Sequence, residues 1–434
     1  MTISRRSFLS LAAPAFIPNL ISAPRNSTLR LASFGAGGMA YHTLDGIATH
    51  PKVTLVCVAE VDSARLTQMQ KKYPNPKVYP DWRKMLDEQH KELDIACIAT
   101  PDHMHAPTAM SAMQLGLHVY VQKPLTHDIH EARRLAAMAR KKKLVTQMGI
   151  QRHSSSEYLT STQLVQSGAI GKVKEVHAWS EKKWGDPDPM PDRSDPVPPT
   201  LNWDLWLGVT VPRPYISGYY HPVNWRKRID FGTATFGDMG CHIYDPIFSA
   251  LELKAPHSLR SEGPPPTSHN WAINSIIHYI FPGTRYTEGK TIHISWYDGD
   301  ERPPAEVQAL IGKQKLPGQG SIFIGTKGVM LLPHVGEPVL LPEEQYKGFD
   351  MHPVPEANHY HQFVEAVLGN GKTSAPFDYA GPLTEAVLLG PLATKFPKTT
   401  LEWNAARMKF TNSAEATHLV RRKYRAGWSV AGLS

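Results

Sequence analysis

The stretch LRLASFGAGGMA, residues 29–40, narrows the possible folds more than any other part of the chain. Six mostly apolar, strand-prone residues run into a glycine-rich turn, and helix-forming residues follow. In such a G-x-G-x-x-A turn the first glycine makes the bend and the second lets a phosphate approach the backbone. The small last residue lets the helix pack on the strand. Gly35, Gly37 and Ala40 take those places, with Gly38 and Met39 at the mouth of the turn. The free N–H groups at the helix start then face an anion. The next apolar run, VTLVCVAEVD, carries Glu60 near its end, where a carboxylate suits the ribose hydroxyls of adenosine and repels a 2′-phosphate. This pattern predicts dinucleotide binding, with NAD favoured over NADP; nearby Arg65 is the feature that speaks for NADP.

The alternation continues to about residue 150. Strand-like runs VTLVCVAEVD, KVYPD, LDIACIAT, HVYVQKP and KLVTQMGI are separated by the helical stretches SARLTQMQKKY, WRKMLDEQHKE, PTAMSAMQLG and a segment opening at Asp128. Asp128 and Glu131 have the spacing of a capping box. Near-continuous apolar strands alternating with helices predict a doubly wound parallel sheet covered on both faces. After residue 150 the pattern changes. VKEVHAWSE is followed by the proline-dense DPDPMPDRSDPVPPT, expected to be a surface loop. NSIIHYIF, TIHISWYDG, GSIFIGTKG and VMLLP then recur with no expected helix between them. That predicts a large, mostly antiparallel sheet with helices in a second domain. The expected organisation is an α/β chain with a nucleotide-binding Rossmann domain over 24–150. A domain for substrate binding and oligomerisation over 151–434 follows, its last helices packing back on the first.

A 434-residue chain with 41% hydrophobic and 20% charged residues has ample material for two cores. The net charge of +8 is scattered, and the short runs Lys141–Lys143 and Arg421–Lys423 read as solvated helix faces. With no basic stripe interleaved with aromatics, nucleic acid is not an expected partner. Cys57, Cys97 and Cys241 form no disulfide framework, and the first two sit in apolar strands as small hydrophobes. At the start, SRRSFL at residues 4–9 resembles a twin-arginine export signal, expected to occupy residues 1–23 and to direct the protein to the periplasm. Its apolar part is too short and proline-broken to span a membrane, and no membrane span is expected elsewhere.

Two further strand ends carry chemistry. LDIACIAT runs into TPDHMH, placing Thr100, Pro101 and His105 at the carboxyl edge of the sheet beside the cofactor. His103 and His105 form an H-x-H pair, but no cysteine or acidic cluster completes a metal site, and none is expected. HVYVQKP ends in Gln122, Lys123 and Pro124. A lysine there places an ammonium in the crevice, where it can bind a substrate hydroxyl and stabilise oxyanion character as hydride leaves carbon. Pro124 stops the strand. Gln151, just past KLVTQMGI, is expected at the same edge.

GAGGMA, Glu60, TP-x-x-x-H and the Lys-Pro pair together resemble the Gfo/Idh/MocA oxidoreductases, a family that includes glucose–fructose oxidoreductase and inositol dehydrogenase. The likeness continues through GDMGCHIYD, residues 237–245, which is similar to the family's helix with an aspartate and a histidine four residues apart. On a helix that spacing puts both side chains on one face. The resemblance implies that His242 is the general base, that Asp238 orients substrate and that Lys123 completes the catalytic set. It also implies that Trp225 and Arg226 approach the nicotinamide. Trp203 and Trp206 have two readings, stacking on a sugar or forming core.

One departure stands out: the family's Glu-Lys-Pro is here Gln122-Lys123-Pro124, which removes an anion beside Lys123. The expected function is an exported, NAD-dependent oxidoreductase acting on a sugar, glycoside or cyclitol. Redox-neutral glycoside cleavage and non-catalytic sugar or cofactor binding are the alternatives, and the resemblance implies a homo-oligomer.

Overall fold

The computed structural model describes residues 28–434, so the expected export signal lies outside the described residues. Its first sheet contains β1 (Leu29–Phe34), β2 (Val53–Ala59), β3 (Lys77–Tyr79), β4 (Ile95–Ile98), β5 (His118–Gln122) and β6 (Thr146–Gly149). They pair in parallel in the order β3-β2-β1-β4-β5-β6. β4 is wholly buried and β1 and β5 nearly so, which is why their sequences are continuously apolar rather than alternating. The order reverses between β1 and β4, and a crevice opens there above the carboxyl ends of the strands. Asp128 and Glu131 form the expected capping box at the head of the helix Ile129–Lys142.

The second sheet contains β7 (Val173–Ser180), β8 (Ser258–Ser261), β9 (Ile276–Pro282), β10 (Thr291–Asp298), β11 (Gln319–Gly325), β12 (Val329–Pro333), β13 (Val339–Leu341), β14 (Thr400–Asn404) and β15 (Lys409–Phe410). Their order is β13-β12-β11-β7-β10-β9-β8-β14-β15. Every pair is antiparallel except β7 with β10. Between β10 and β11 lies a short helix, Ala305–Ala309, where none was expected. It buries only Val307 and so carries too few apolar residues for a helical period to show in the sequence.

One apolar core runs from Phe34 and Val121 in the first sheet to Tyr279 and Trp296 in the second, by way of the helices Cys241–Ala250 and Phe377–Ala393. The helix Phe377–Ala393 and the segment around Arg422 pack against the helix Ile129–Lys142. Glu385, almost fully buried, accepts from Arg133 at 2.6 and 2.7 Å. Arg422 reaches Glu131 at 2.7 Å. None of the helices among the described residues is long and apolar enough to cross a membrane.

Candidate active site

The crevice at the topological switch forms a cavity of about 320 Å³. Its floor is the glycine turn. Gly35 has φ of 102°, and a Cβ on it would meet Ala40 Cβ at 2.9 Å and the Ala99 carbonyl oxygen at 3.2 Å. Only glycine suits that position. The helix Met39–Ala48 starts behind Gly38 with no capping side chain, so its first N–H groups are offered to a ligand. Glu60 lines the wall and also braces the turn, since Oε2 accepts from Ala36 N at 2.8 Å and Oε1 from Asp62 N at 3.1 Å. Burial raises its pKa against those two bonds. Arg65 lays its stem over Gly37 and holds its guanidinium 3.8 Å from Asp62.

Gly38, Met39, Thr100, Pro101, His105, Gln122, Lys123, Trp225 and Arg226 all face this cavity with Gly35, Gly37 and Glu60. Thr100 Oγ1 is buried there with no hydrogen-bond partner among the described residues. An uncapped helix start, a glycine floor and an orphaned hydroxyl are what a bound dinucleotide needs and would satisfy. The residues therefore fit NAD.

Lys123 stands where β5 ends, and its Nζ donates to Asp238 Oδ1 at 2.7 Å and to the Asp238 carbonyl at 2.9 Å. Arg226 Nε donates to the same Oδ1 at 3.2 Å, with its guanidinium stacked on Trp225 and Trp184. Burial alone would raise the Asp238 pKa; Lys123 and Arg226 outweigh it and hold the carboxyl well below the usual range. Asp238, and not a neighbour at position 122, is the anion that Lys123 meets. Gln122 itself is buried, donating to Thr43 Oγ1 at 2.9 Å and accepting from the Lys123 N–H at 3.2 Å.

His242 comes from the same segment as Asp238, but not through the regular helix expected. Phe236–Gly240 forms a π-helical turn, and the α-helix begins only at Cys241. Gly237 and Gly240 allow this, because a Cβ on either would clash with Thr233 or Phe236. Such turns recur at functional sites. No hydrogen bond joins Asp238 to His242 among the described residues, yet each lies in the other's field. Burial first, then the charges of Lys123, His334 and Arg152, push the His242 pKa well below 6.5 and leave a neutral ring. His242 Nδ1 is buried without a partner among the described residues.

His334, between β12 and β13, was not a candidate from sequence. Its ring lies 5.5 Å from that of His242, and its Nδ1 is 2.8 Å from Tyr158 Oη. Arg152 packs 5.4 Å from the Tyr158 ring. No motif surrounds His334, and only the antiparallel sheet brings it here.

Other expectations resolve differently. His105 faces the cavity, but its ring is committed to backbone, with Nδ1 2.7 Å from the Pro124 carbonyl and Nε2 2.8 Å from that of Thr100. It ties two strand ends together. Burial and Lys123 push its pKa down to about 4, while the two carbonyls pull it up. His103 turns elsewhere, to the Trp206 carbonyl. Gln151 is not in the cavity wall; its amide donates to Tyr360 Oη at 3.0 Å, because the chain turns away past β6. Trp203 and Trp206 stack at 4.8 Å inside an aromatic cluster with Tyr215, Tyr220 and Phe231. They are core, and of the two only Trp206 reaches the cavity.

With this geometry in hand, comparison with known proteins is decisive for the family. The profile described as the oxidoreductase family NAD-binding Rossmann fold matches residues 29–150. The profile of the same family's C-terminal alpha/beta domain matches residues 164–430. The chain belongs to the Gfo/Idh/MocA oxidoreductase family. Among curated relatives, a dTDP-3,4-didehydro-2,6-dideoxy-alpha-D-glucose 3-reductase of Streptomyces antibioticus is 30% identical over 35% of this chain and 45% of its own length. The scyllo-inositol 2-dehydrogenase (NAD(+)) of Bacillus subtilis is 26% identical over 33% of this chain and 42% of its own. The matched stretch thus spans less than half of either relative.

Solved structures share the fold. The WlbA dehydrogenase of Bordetella pertussis, solved with NADH and UDP-GlcNAcA, has a TM-score of 0.61 at 14% identity, covering 87% of this chain and 99% of that one. GenD2 from gentamicin A biosynthesis, solved with NAD, has a TM-score of 0.59 at 16% identity, covering 87% and 97%.

Proposed function

We propose that the protein is an NAD-dependent oxidoreductase acting on a secondary hydroxyl of a sugar, glycoside or cyclitol. The observation that carries this reading is the 2.7 Å bond between Lys123 and Asp238, made at the wall of the cavity whose floor is the glycine turn. It joins the end of a nucleotide-binding sheet to the segment bearing His242. When bound, NAD accepts or returns the hydride. Lys123 and Asp238 hold the reacting hydroxyl, and the Lys123 ammonium stabilises the oxygen as negative charge develops on it. His242, kept neutral, takes the hydroxyl proton. Arg226 keeps Asp238 ionised and fixes its direction. The sugar and cyclitol enzymes similar in sequence support this substrate class.

Mass spectrometry of the denatured, purified protein tests the cofactor, with NAD expected and NADP or no nucleotide contradicting it. A screen of sugars, glycosides and cyclitols at the reduced-nicotinamide absorbance tests the reaction. Glycoside cleavage with no net NADH would turn the reading to redox-neutral chemistry. The reading also includes periplasmic export by the twin-arginine route and assembly into a homo-oligomer. Arg5→Lys with Arg6→Lys is expected to retain the protein in the cytoplasm, and light scattering of the exported protein is expected to give a multiple of the mass of its processed chain.

A further inference from the structure

Asp102 is a carboxylic acid in a place that disfavours charge. It is 4% exposed, follows Thr100-Pro101 at the end of β4, and faces the cavity next to the β5 end that carries Lys123. Oδ2 accepts from Thr233 Oγ1 at 2.8 Å, and the residue lines the cavity. The charges that bear on it come from every element around it: Arg226 from the Asn224–Lys227 turn, Lys123 from β5, and Asp238 from the π-helical turn. The Cys241 thiol, just beyond that turn, lies in its field as well. These are the groups placed above at the reacting end. We propose that Asp102 senses the charge of the nicotinamide, ionised against the oxidised cationic ring and protonated against the neutral reduced one. This rests on the reading of the cavity as an NAD site.

The physics is a linkage between proton and ligand. Burial pushes the Asp102 pKa up to about 7, with Arg226 opposing, so the group titrates within the working range. A cation brought beside it favours the ionised form, and a neutral ring does not. Of the other titrating groups, Asp238 and His242 are held well down, His105 and His334 lie near 4, and burial also lowers His221 in the cavity wall against the pull of Asp62. Glu60 is also raised, but at the glycine turn, away from the nicotinamide, where the oxidised and reduced cofactors are alike.

The test is calorimetric titration of the full chain, freed of any nucleotide it retains, with NAD+ and with NADH from pH 6 to pH 8. The ratio Kd(NADH)/Kd(NAD+) is expected to rise with pH by roughly three- to tenfold, since one group can supply at most about a tenfold change per pH unit. In Asp102→Asn, which keeps the Thr233 contact, the ratio is expected to be flat. Thr233→Val removes a bond that favours the ionised form and is expected to move the rise to higher pH. A flat ratio in the unaltered protein overturns the proposal, as does a slope that persists in Asp102→Asn or a rise that Thr233→Val leaves in place. Failure of both nucleotides to bind at any pH would instead overturn the NAD site itself.

Discussion

Asp238→Asn and Lys123→Met remove opposite ends of the same 2.7 Å bond, yet they are not expected to be equivalent. Asp238 is shared by two cations, Lys123 and Arg226, and the side chains of the Lys123 pair are both 12% exposed. Removing Lys123 leaves the carboxylate its 3.2 Å bond from Arg226. The loss is that of one charged hydrogen bond, about 1.5–3 kcal/mol. Neutralising Asp238 leaves two largely buried cations facing each other with only carbonyl oxygens as acceptors. Breaking a buried pair in this way costs about 3–5 kcal/mol. Urea unfolding followed by tryptophan fluorescence is expected to show Asp238→Asn as the less stable variant by roughly 1–2 kcal/mol, the difference of those two ranges. Activity should rank them more evenly, each falling on the order of 10²–10³-fold, because both groups hold the reacting oxygen. A Lys123→Met protein less stable than Asp238→Asn would refute the shared-carboxylate argument.

Other outcomes follow from the same geometry. His242→Ala is expected to lower kcat by about 10²–10⁴-fold while retained NAD, measured by mass spectrometry, stays unchanged. Because the neutral ring is the active form and its pKa is lowered, the acid limb of the kcat/KM profile should lie below pH 6.5 and vanish in that variant. Gly35→Ala forces a side chain into φ of 102° against Ala40, so it should destabilise the protein by about 1–3 kcal/mol and abolish NAD retention, read by thermal shift and mass spectrometry. The depressed Asp238 pKa contributes stability above its unfolded value near 3.8. That contribution is lost only as pH falls through the still lower folded value, so the urea-stability gap to Asp238→Asn should persist from pH 7 to pH 5.

The first sheet was legible because its central strands are buried on both faces and its punctuation is local: the glycine turn at Gly35, the proline after Lys123 and the Asp128–Glu131 cap each lie within a few residues of what they control. The alternating runs of β9 and β10 likewise announced a sheet with one better-covered face. What stayed hidden depends on distance or on competition between contacts. The π-helical turn at Phe236–Gly240 follows from two glycines pressed against Thr233 and Phe236, which no helical period reveals. His334 reaches His242 from a loop with no motif of its own. Asp102 stood in plain view inside TPDHMH, but only its burial and its cationic neighbours distinguish it from a helix-start aspartate. Gln151 shows the reverse error: proximity to a strand end suggested the crevice, and Tyr360 claimed the side chain.

The most direct test of the whole account is a crystal structure of the protein grown with NAD. The account predicts pyrophosphate on the Gly35–Met39 turn and the nicotinamide in contact with Lys123, with the His242 ring and the Asp102 carboxyl facing the space beside it. A nicotinamide seated instead in a separate cavity lined by His127, Val211 and Arg422 would contradict it, as would an imidazole at 242 shut away from the ring.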